Sequence, residues 1–296
     1  MADPELPEHE YLTVRELAAL LRLKERKVYD LAASGKVPCS RATGKLLFPA
    51  AEIRAWIETS RSDGHGAERQ ARPPIVLGSH DPLLDWAIRQ SRCGLATYFD
   101  GSHDGLDRFA RGDGVAAGLH VHDPDGGGWN VPAVARAVSD RNAVLVAFAT
   151  RRRGLVHRKD GPAPACMADL AGLRIVPRQP ESGTDGLFRE LAAAAGLDLA
   201  SLAYAAVART EDEAVERVRR GEADAAFGLA AAAGGYGLEF RPVIDEEFAL
   251  LVDRKAWFDP PLQALWAFCR TAEFRDRAAG YGGYDVARLG AVLWNA

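Results

Sequence analysis

Apolar positions first recur with helical spacing at Leu17, Leu20 and Leu21, directly behind Thr13-Val14-Arg15-Glu16. That tetrapeptide is a capping box, in which the Thr13 hydroxyl serves one orphan helix N–H and Glu16 reaches back. The spacing predicts a helix of about two turns. A second helix is predicted from Lys24 to Ala33, with Val28 and Leu31 facing in and Arg26, Lys27 and Tyr29 facing out; Ser34-Gly35 ends it. Arg41-Ala42-Thr43-Gly44-Lys45 then forms a tight turn between two short extended runs, the second being Leu46-Leu47-Phe48. Pro49 opens a third helix, whose Ile53, Trp56 and Ile57 close a small core.

The pattern changes after residue 60. Residues 61–74 (RSDGHGAERQARPP) have no apolar period and read as a linker. Beyond them, buried-strand runs alternate with helical patterns through short Gly/Ser loops. Ile75-Val76-Leu77 precedes Gly78 to Pro82, Ala96 to Phe99 precedes Gly101 to Gly105, and Val115 to Val121 precedes His122-Asp123-Pro124. Val144 to Phe148 is another strand, and Leu173 to Val176 leads through Pro177–Gly183 into a helix from Thr184 to Ala195. This alternation predicts an α/β fold with mostly parallel strands, whose ligands sit at the carboxyl ends of the strands.

Composition adds little about class and something about partners. With 48% hydrophobic and 26% charged residues in 296, the chain suits a globular protein of about two domains. No apolar run reaches the roughly 20 residues of a spanning helix. Residues 1–10 are acidic and Pro-containing, read as a disordered start and not as a secretory signal. Cys39, Cys93, Cys166 and Cys269 are too scattered for a zinc site or a disulfide framework, which suits a cytoplasmic protein. Net charge is −4, yet residues 11–60 carry nine Lys/Arg against five Asp/Glu, leaving an acidic remainder. A basic module on an acidic body concentrates attraction for polyanions at one end.

Two short helices, a basic hairpin and a closing helix over residues 11–60 resemble the winged helix-turn-helix of the excisionase and MerR-like DNA-binding families. The resemblance implies that Arg26, Lys27 and Tyr29 enter the major groove of double-stranded DNA, while Arg41 and Lys45 on the wing meet phosphate or minor groove. One such module makes few phosphate contacts, so a homodimer reading two half-sites is expected.

The segment 75–296 resembles the type II periplasmic-binding-protein superfamily, in its cytoplasmic branch fused to a helix-turn-helix. The segments that carry this likeness are Gly78-Ser79-His80-Asp81-Pro82-Leu83-Leu84, Ala117-Gly118-Leu119-His120, Arg178-Gln179, Ser182-Gly183-Thr184 and Gly221 to Gly228. It implies two α/β lobes around a cleft, lobe I about 75–147 and 250–296 and lobe II about 148–249. The chain would cross near Leu145–Phe148 and return near Phe248–Val252, and closure on a ligand would be the signal.

For that cleft the expected ligand residues are Ser79, His80, Ser102, His103, His120, Arg178, Ser182, Gly183 and Thr184. Hydroxyls and backbone N–H groups at helix starts favour anions. Because this branch resembles molybdate-binding proteins, molybdate or tungstate is the leading ligand. Glu181 and Asp185 depart from that pattern and would cost affinity unless they point away or Arg178 neutralises them, and these departures with the histidines favour a larger polar species, such as a molybdenum-cofactor-like ligand or an organic acid. His120-Val121-His122 is the nearest approach to a metal pair, and no metal is expected. No GxSxG, P-loop or dinucleotide fingerprint occurs, and adjacent Ser102-His103-Asp104 is not how a triad is built, so no catalytic residue is expected. Arg151-Arg152-Arg153 reads as a solvated turn after the crossover strand. The expected function is a ligand-responsive transcriptional regulator; the alternative is a cytoplasmic oxyanion- or molybdenum-cofactor-binding protein whose small domain mediates protein contacts.

Overall fold

The computed structural model describes residues 10–41, 44–59, 72–126 and 128–296. Of the predicted start at 1–10 and linker at 61–74, residues 1–9 and 61–71 lie outside the described residues, as do the turn residues Ala42 and Thr43. The chain divides into two compact units, Met1–Ala71 and Arg72–Ala296.

In the first unit, β1 (Tyr11–Thr13) leads into α1 (Val14–Leu21), α2 (Glu25–Ala33), β2 (Leu47–Pro49) and α3 (Ala50–Thr59). The capping box forms as its residue types dictate: Glu16 N–H donates to Thr13 Oγ1 at 3.3 Å, and Thr13 N–H donates to the Glu16 carboxylate at 2.8 Å. Strand β1, which no sequence signal marked, pairs antiparallel with β2, Leu12 opposite Phe48. Leu12, Leu17, Val28, Phe48 and Ile53 are all fully buried and tie the three helices to this ribbon.

The second unit begins with β3 (Ile75–Gly78), α4 (Pro82–Ser91), β4 (Ala96–Phe99), α5 (Ser102–Arg111), β5 (Ala116–Leu119), a small hairpin of β6 (His122–Asp123) and β7 (Gly128–Trp129), and α6 (Val131–Val138). The long strand β8 (Ala143–His157) crosses to β9 (Arg174–Val176), α7 (Gly183–Ala194), β10 (Ala203–Tyr204), α8 (Glu211–Arg219), β11 (Ala225–Leu229) and α9 (Ala230–Gly235). An equally long β12 (Glu239–Asp253) returns, followed by α10 (Pro260–Cys269), α11 (Ala272–Tyr281), β13 (Tyr284–Asp285) and β14 (Val292–Asn295).

Among the described residues ten strands join in one sheet, ordered β10-β9-β11-β8-β12-β5-β3-β4, with β13 and β14 also pairing β8. Each end is a parallel triple, β10-β9-β11 and β5-β3-β4, and the two are joined by the antiparallel β8–β12 pair. The two-lobed α/β expectation holds, with an antiparallel centre that short apolar runs did not disclose. Strand β8 offers residues 153–157 to β11, and β12 offers 249–252 to β5, so the same two strands serve both lobes. A register shift between Phe248 and Ala249 falls where they cross.

Strand side chains alternate between two helical layers, as a doubly covered sheet requires. Val76 and Leu250 pack with Leu83, Trp266 and Phe274 from α4, α10 and α11, while Leu77 and Leu251 pack with Phe109 and Val138 from α5 and α6. In the other lobe Ile175 and Phe227 meet Leu187 and Phe188 of α7, and Val176 and Ala226 meet Val218 of α8. No described helix is long and apolar enough to cross a membrane.

Candidate functional site

Helix α2 buries Val28 and Ala32 and leaves Arg26, Lys27 and Tyr29 exposed, Tyr29 by 51%. The following hairpin is closed by paired hydrogen bonds between Ser40 and Leu47 (2.7 and 3.0 Å), and its Arg41 and Lys45 are exposed. All five residues singled out for DNA are therefore available to solvent.

In the second unit, the carboxyl ends of parallel strands from both lobes converge. Ser79 and Gly101 follow β3 and β4, His120 follows β5, and Arg178 and Gln179 follow β9; Ser182 and Thr184 start α7, and Glu211 starts α8. Ser79 Oγ and Ser102 Oγ lie 2.8 Å apart, and His120 N–H donates to Ser102 Oγ at 3.1 Å. Thr184 Oγ1 donates to Glu211 at 3.3 Å, and Ser182 Oγ accepts Asp185 N–H as the N-cap of α7.

The serine pair depends on glycines. A Cβ on Gly105 of α5 would stand 2.2 Å from Gly78 Cα, so only glycine lets α5 approach the end of β3. Gly105→Ala is expected to cost about 1–3 kcal/mol through overpacking and to separate Ser102 from Ser79. Thermal unfolding checks the cost, and an unchanged melting temperature would contradict the packing described.

Below the hydroxyls lies a floor of buried charge. Arg151 Nη1 meets Asp81 at 2.9 Å and its Nη2 meets Glu246, while Arg153 spans Glu246 (2.7 Å) and Glu211 (3.1 Å). Arg178 Nη1 reaches the same Glu211 at 2.8 Å, Tyr284 Oη donates to Asp81 at 2.6 Å, and His120 Nδ1 lies 3.2 Å from Glu246. Burial would push the Glu211 carboxyl up, but Arg153 and Arg178 outweigh it and bring it down to about 2. Burial likewise opposes Glu246, yet Arg151 and Arg153 hold it well below the usual carboxylate range. Burial lowers His120, with Glu246 opposing in part, so the ring is held neutral. Three guanidinium groups thus balance three carboxylates.

This corrects the reading of Arg151-Arg152-Arg153 as a solvated turn. The triplet lies inside β8, where residues two apart share a face. Arg151 and Arg153 point inward with 0% exposure, and Arg152 points out, loosely paired with Asp245 at 3.7 Å. A signal existed in Asp245-Glu246-Glu247, which stands opposite Arg152, Arg151 and Thr150 on β12. Arg178 is likewise not the neutraliser of Glu181 or Asp185. Its Nε and Nη2 donate to the carbonyls of Ala208 and Arg209, its Nη1 to Glu211, and Asp185 pairs with Arg189 at 2.7 Å.

Of the residues expected to bind ligand, Ser79, His80, His120, Arg178, Ser182 and Thr184 line one cleft, with Ser102 hydrogen-bonded at its wall. Gly183 packs behind it, since a Cβ there would stand 2.7 Å from the His120 carbonyl oxygen. The His103 side chain is exposed, and only its N–H reaches across, donating to the Glu181 carbonyl at 3.4 Å. His122 diverges from His120 to pair with Glu190 at 2.8 Å. Asp81, Arg151, Arg153, Glu211 and Glu246 escaped sequence reasoning. The lobes meet across the mouth through Asp100–Arg209 (3.1 Å), leaving a free volume of only about 10 Å³. That holds roughly one water, so a larger ligand requires the lobes to part.

Two lobes on crossing strands, with hydroxyls and helix starts turned to the seam, define a ligand-binding α/β protein that carries a helix-turn-helix. The PBP superfamily domain matches residues 86–270, and the chain belongs to that superfamily; a helix-turn-helix domain matches residues 11–61. The chain is 24% identical over 300 residues to the uncharacterized protein YvgK of Bacillus subtilis (strain 168), covering 95% of this chain and 97% of that one. Its fold is similar to a putative phosphate ABC transporter substrate-binding protein with bound phosphate from Clostridium perfringens, with a TM-score of 0.53 and 12% identity over 73% of this chain and 98% of the other.

Proposed function

We propose that the chain is a ligand-responsive, DNA-binding transcriptional regulator, acting in the cytoplasm as a homodimer. Its cleft would take a small oxyanion of the molybdate or tungstate kind, or a related cofactor-like anion. The observation that carries this reading is the joining, in one chain, of an exposed basic helix and hairpin to a two-lobed cleft lined by Ser79, Ser102, Ser182 and Thr184 at helix starts.

An anion entering beside the ionised Glu211 meets repulsion. It is accommodated when the lobes part and Arg153 and Arg178, now holding Glu211, turn toward it. Capture and lobe movement are then one event, and the differential affinity for two lobe arrangements is what reaches the DNA.

Gel-shift titration against DNA upstream of the gene tests this, with and without molybdate or tungstate. Arg26→Ala with Lys27→Ala is expected to weaken binding and to lower the slope of log affinity against log salt by about one per lost phosphate contact. Oxyanion is expected to shift the wild-type affinity by about 5–150-fold. Absence of specific DNA binding in both conditions discards the regulator. Oxyanion binding with DNA affinity untouched by the double substitution would favour the oxyanion-binding alternative.

A further inference from the structure

A pocket of about 340 Å³ opens on the second lobe, where β9, β10 and β11 run side by side, and it borders the cleft between the lobes at Arg178 and Thr184. Its floor is apolar: Ile175, Phe188 and Phe227 are each no more than 9% exposed. Its outer wall includes Tyr204 and Val207, which stay about half exposed (48% and 51%) although large and apolar. A concave apolar surface of this volume lies in the range of small-molecule sites, about 300–1,000 Å³.

The polar groups at this pocket select the ligand. Arg178 is fully committed to Glu211 and to two carbonyls. Arg189 is not: its side chain is 60% exposed, its Nε donates to Asp185, whose carboxylate also lines the pocket, and its two terminal nitrogens have no hydrogen-bond partner among the described residues. A guanidinium edge with two unused parallel donors beside an apolar cavity matches a carboxylate attached to an apolar body. A cationic ligand would meet those donors unfavourably, and a wholly apolar one would leave them unused.

From this we infer a second binding site, for a small organic acid with a flat aromatic or compact aliphatic body. Its carboxylate rests on the Arg189 terminal nitrogens and its body lies on Phe188 and Phe227. The pocket shares Arg178 and Thr184 with the ionic cleft, so an occupant touches residues that hold Glu211 there. The site does not depend on DNA binding or on an oxyanion ligand.

Calorimetric titration of the full chain with 2-naphthoate and with neutral 2-naphthamide tests the inference. One naphthoate is expected to bind, at least about tenfold tighter than the amide. Val207→Trp, at a half-exposed position that tolerates a larger side chain, is expected to fill the pocket and weaken both by about tenfold or more. Arg189→Ala is expected to weaken naphthoate by about tenfold and leave the amide unchanged. No naphthoate binding, wild-type binding by the Val207→Trp variant, or an Arg189→Ala variant that keeps the preference for naphthoate would each overturn the site. If molybdate shifts DNA affinity while naphthoate fails to bind, the pocket alone is refuted. If naphthoate behaves as described while DNA is ignored, the regulator alone is refuted.

Discussion

Replacing Arg153 by Met is expected to destabilise the C-terminal unit by about 3–5 kcal/mol, the range for breaking a buried ion pair from one side. Arg153 is the cation shared by Glu211 and Glu246, and all three side chains lie at 3% exposure or less. Methionine fills much of the same volume but leaves two carboxylates in a dry interior with only Arg178 and Arg151 to answer them. Thermal or urea unfolding of the full chain, followed at the C-terminal transition, measures the loss. At about 2–4 °C per kcal/mol for a unit of this size, the transition falls by about 10 °C. Arg152→Met is the matched control, since that side chain is 54% exposed and its nearest carboxylate oxygen stands 3.7 Å away. Its effect should stay within about 0.5 kcal/mol. Equal small effects at both positions would mean that the triplet is solvated after all.

Acid should unfold this unit in two stages, and the direction follows from proton binding. Glu211 ionises near pH 2 when folded, against an ordinary 4.5, and Glu246 is also held well below its ordinary value. Between those limits the unfolded chain binds more protons, so stability rises with pH. The contribution is fully present above about pH 4.5 and is lost as pH falls toward 2. For Glu211 alone this is on the order of 3 kcal/mol, at about 1.4 kcal/mol per unit. His120, held neutral by burial, adds an earlier loss that begins as pH drops below its ordinary 6.5. At the alkaline end, burial and Asp81 push the Tyr284 hydroxyl well above 10, so its contribution is present below 10 and fades above it. Urea midpoints from pH 8 to pH 3 are expected to hold level at first, decline gently below 6.5 and then fall steeply below 4.5. A flat profile down to pH 3 would rule out the ionised cluster. Glu246→Gln should lower stability near neutrality and make the acid limb shallower, because one of its protons no longer counts.

Much of the local structure was legible because its causes are local. The Thr13–Glu16 capping box, the amphipathic α2 and the Ser182 N-cap of α7 each rest on partners three or four residues apart. The alternation of strand runs with helical runs marked the α/β class, to which the family resemblance added two lobes, and strand and helix ends marked Ser79, His80, His120, Arg178, Ser182 and Thr184, which the fold brings to one cleft. Strand β1 was missed because three residues carry no period, and it exists only through its pairing with β2 some 36 residues on.

The charge pairing at the seam is a different matter. Whether Arg153 is a surface charge or part of a dry ionic floor depends on Glu246, 93 residues away, and on Glu211, 58 away. Arg178 has a carboxylate partner in either reading, but only the packed sheet makes it Glu211 and not Asp185. The chain by itself determined which residues could start helices, line strands and carry charge, since those depend on backbone preference and near neighbours. The folded sheet decided which charges meet, which are hidden and how little space is left between the lobes, because burial and ion pairing belong to two distant segments at once and appear only when both are in place.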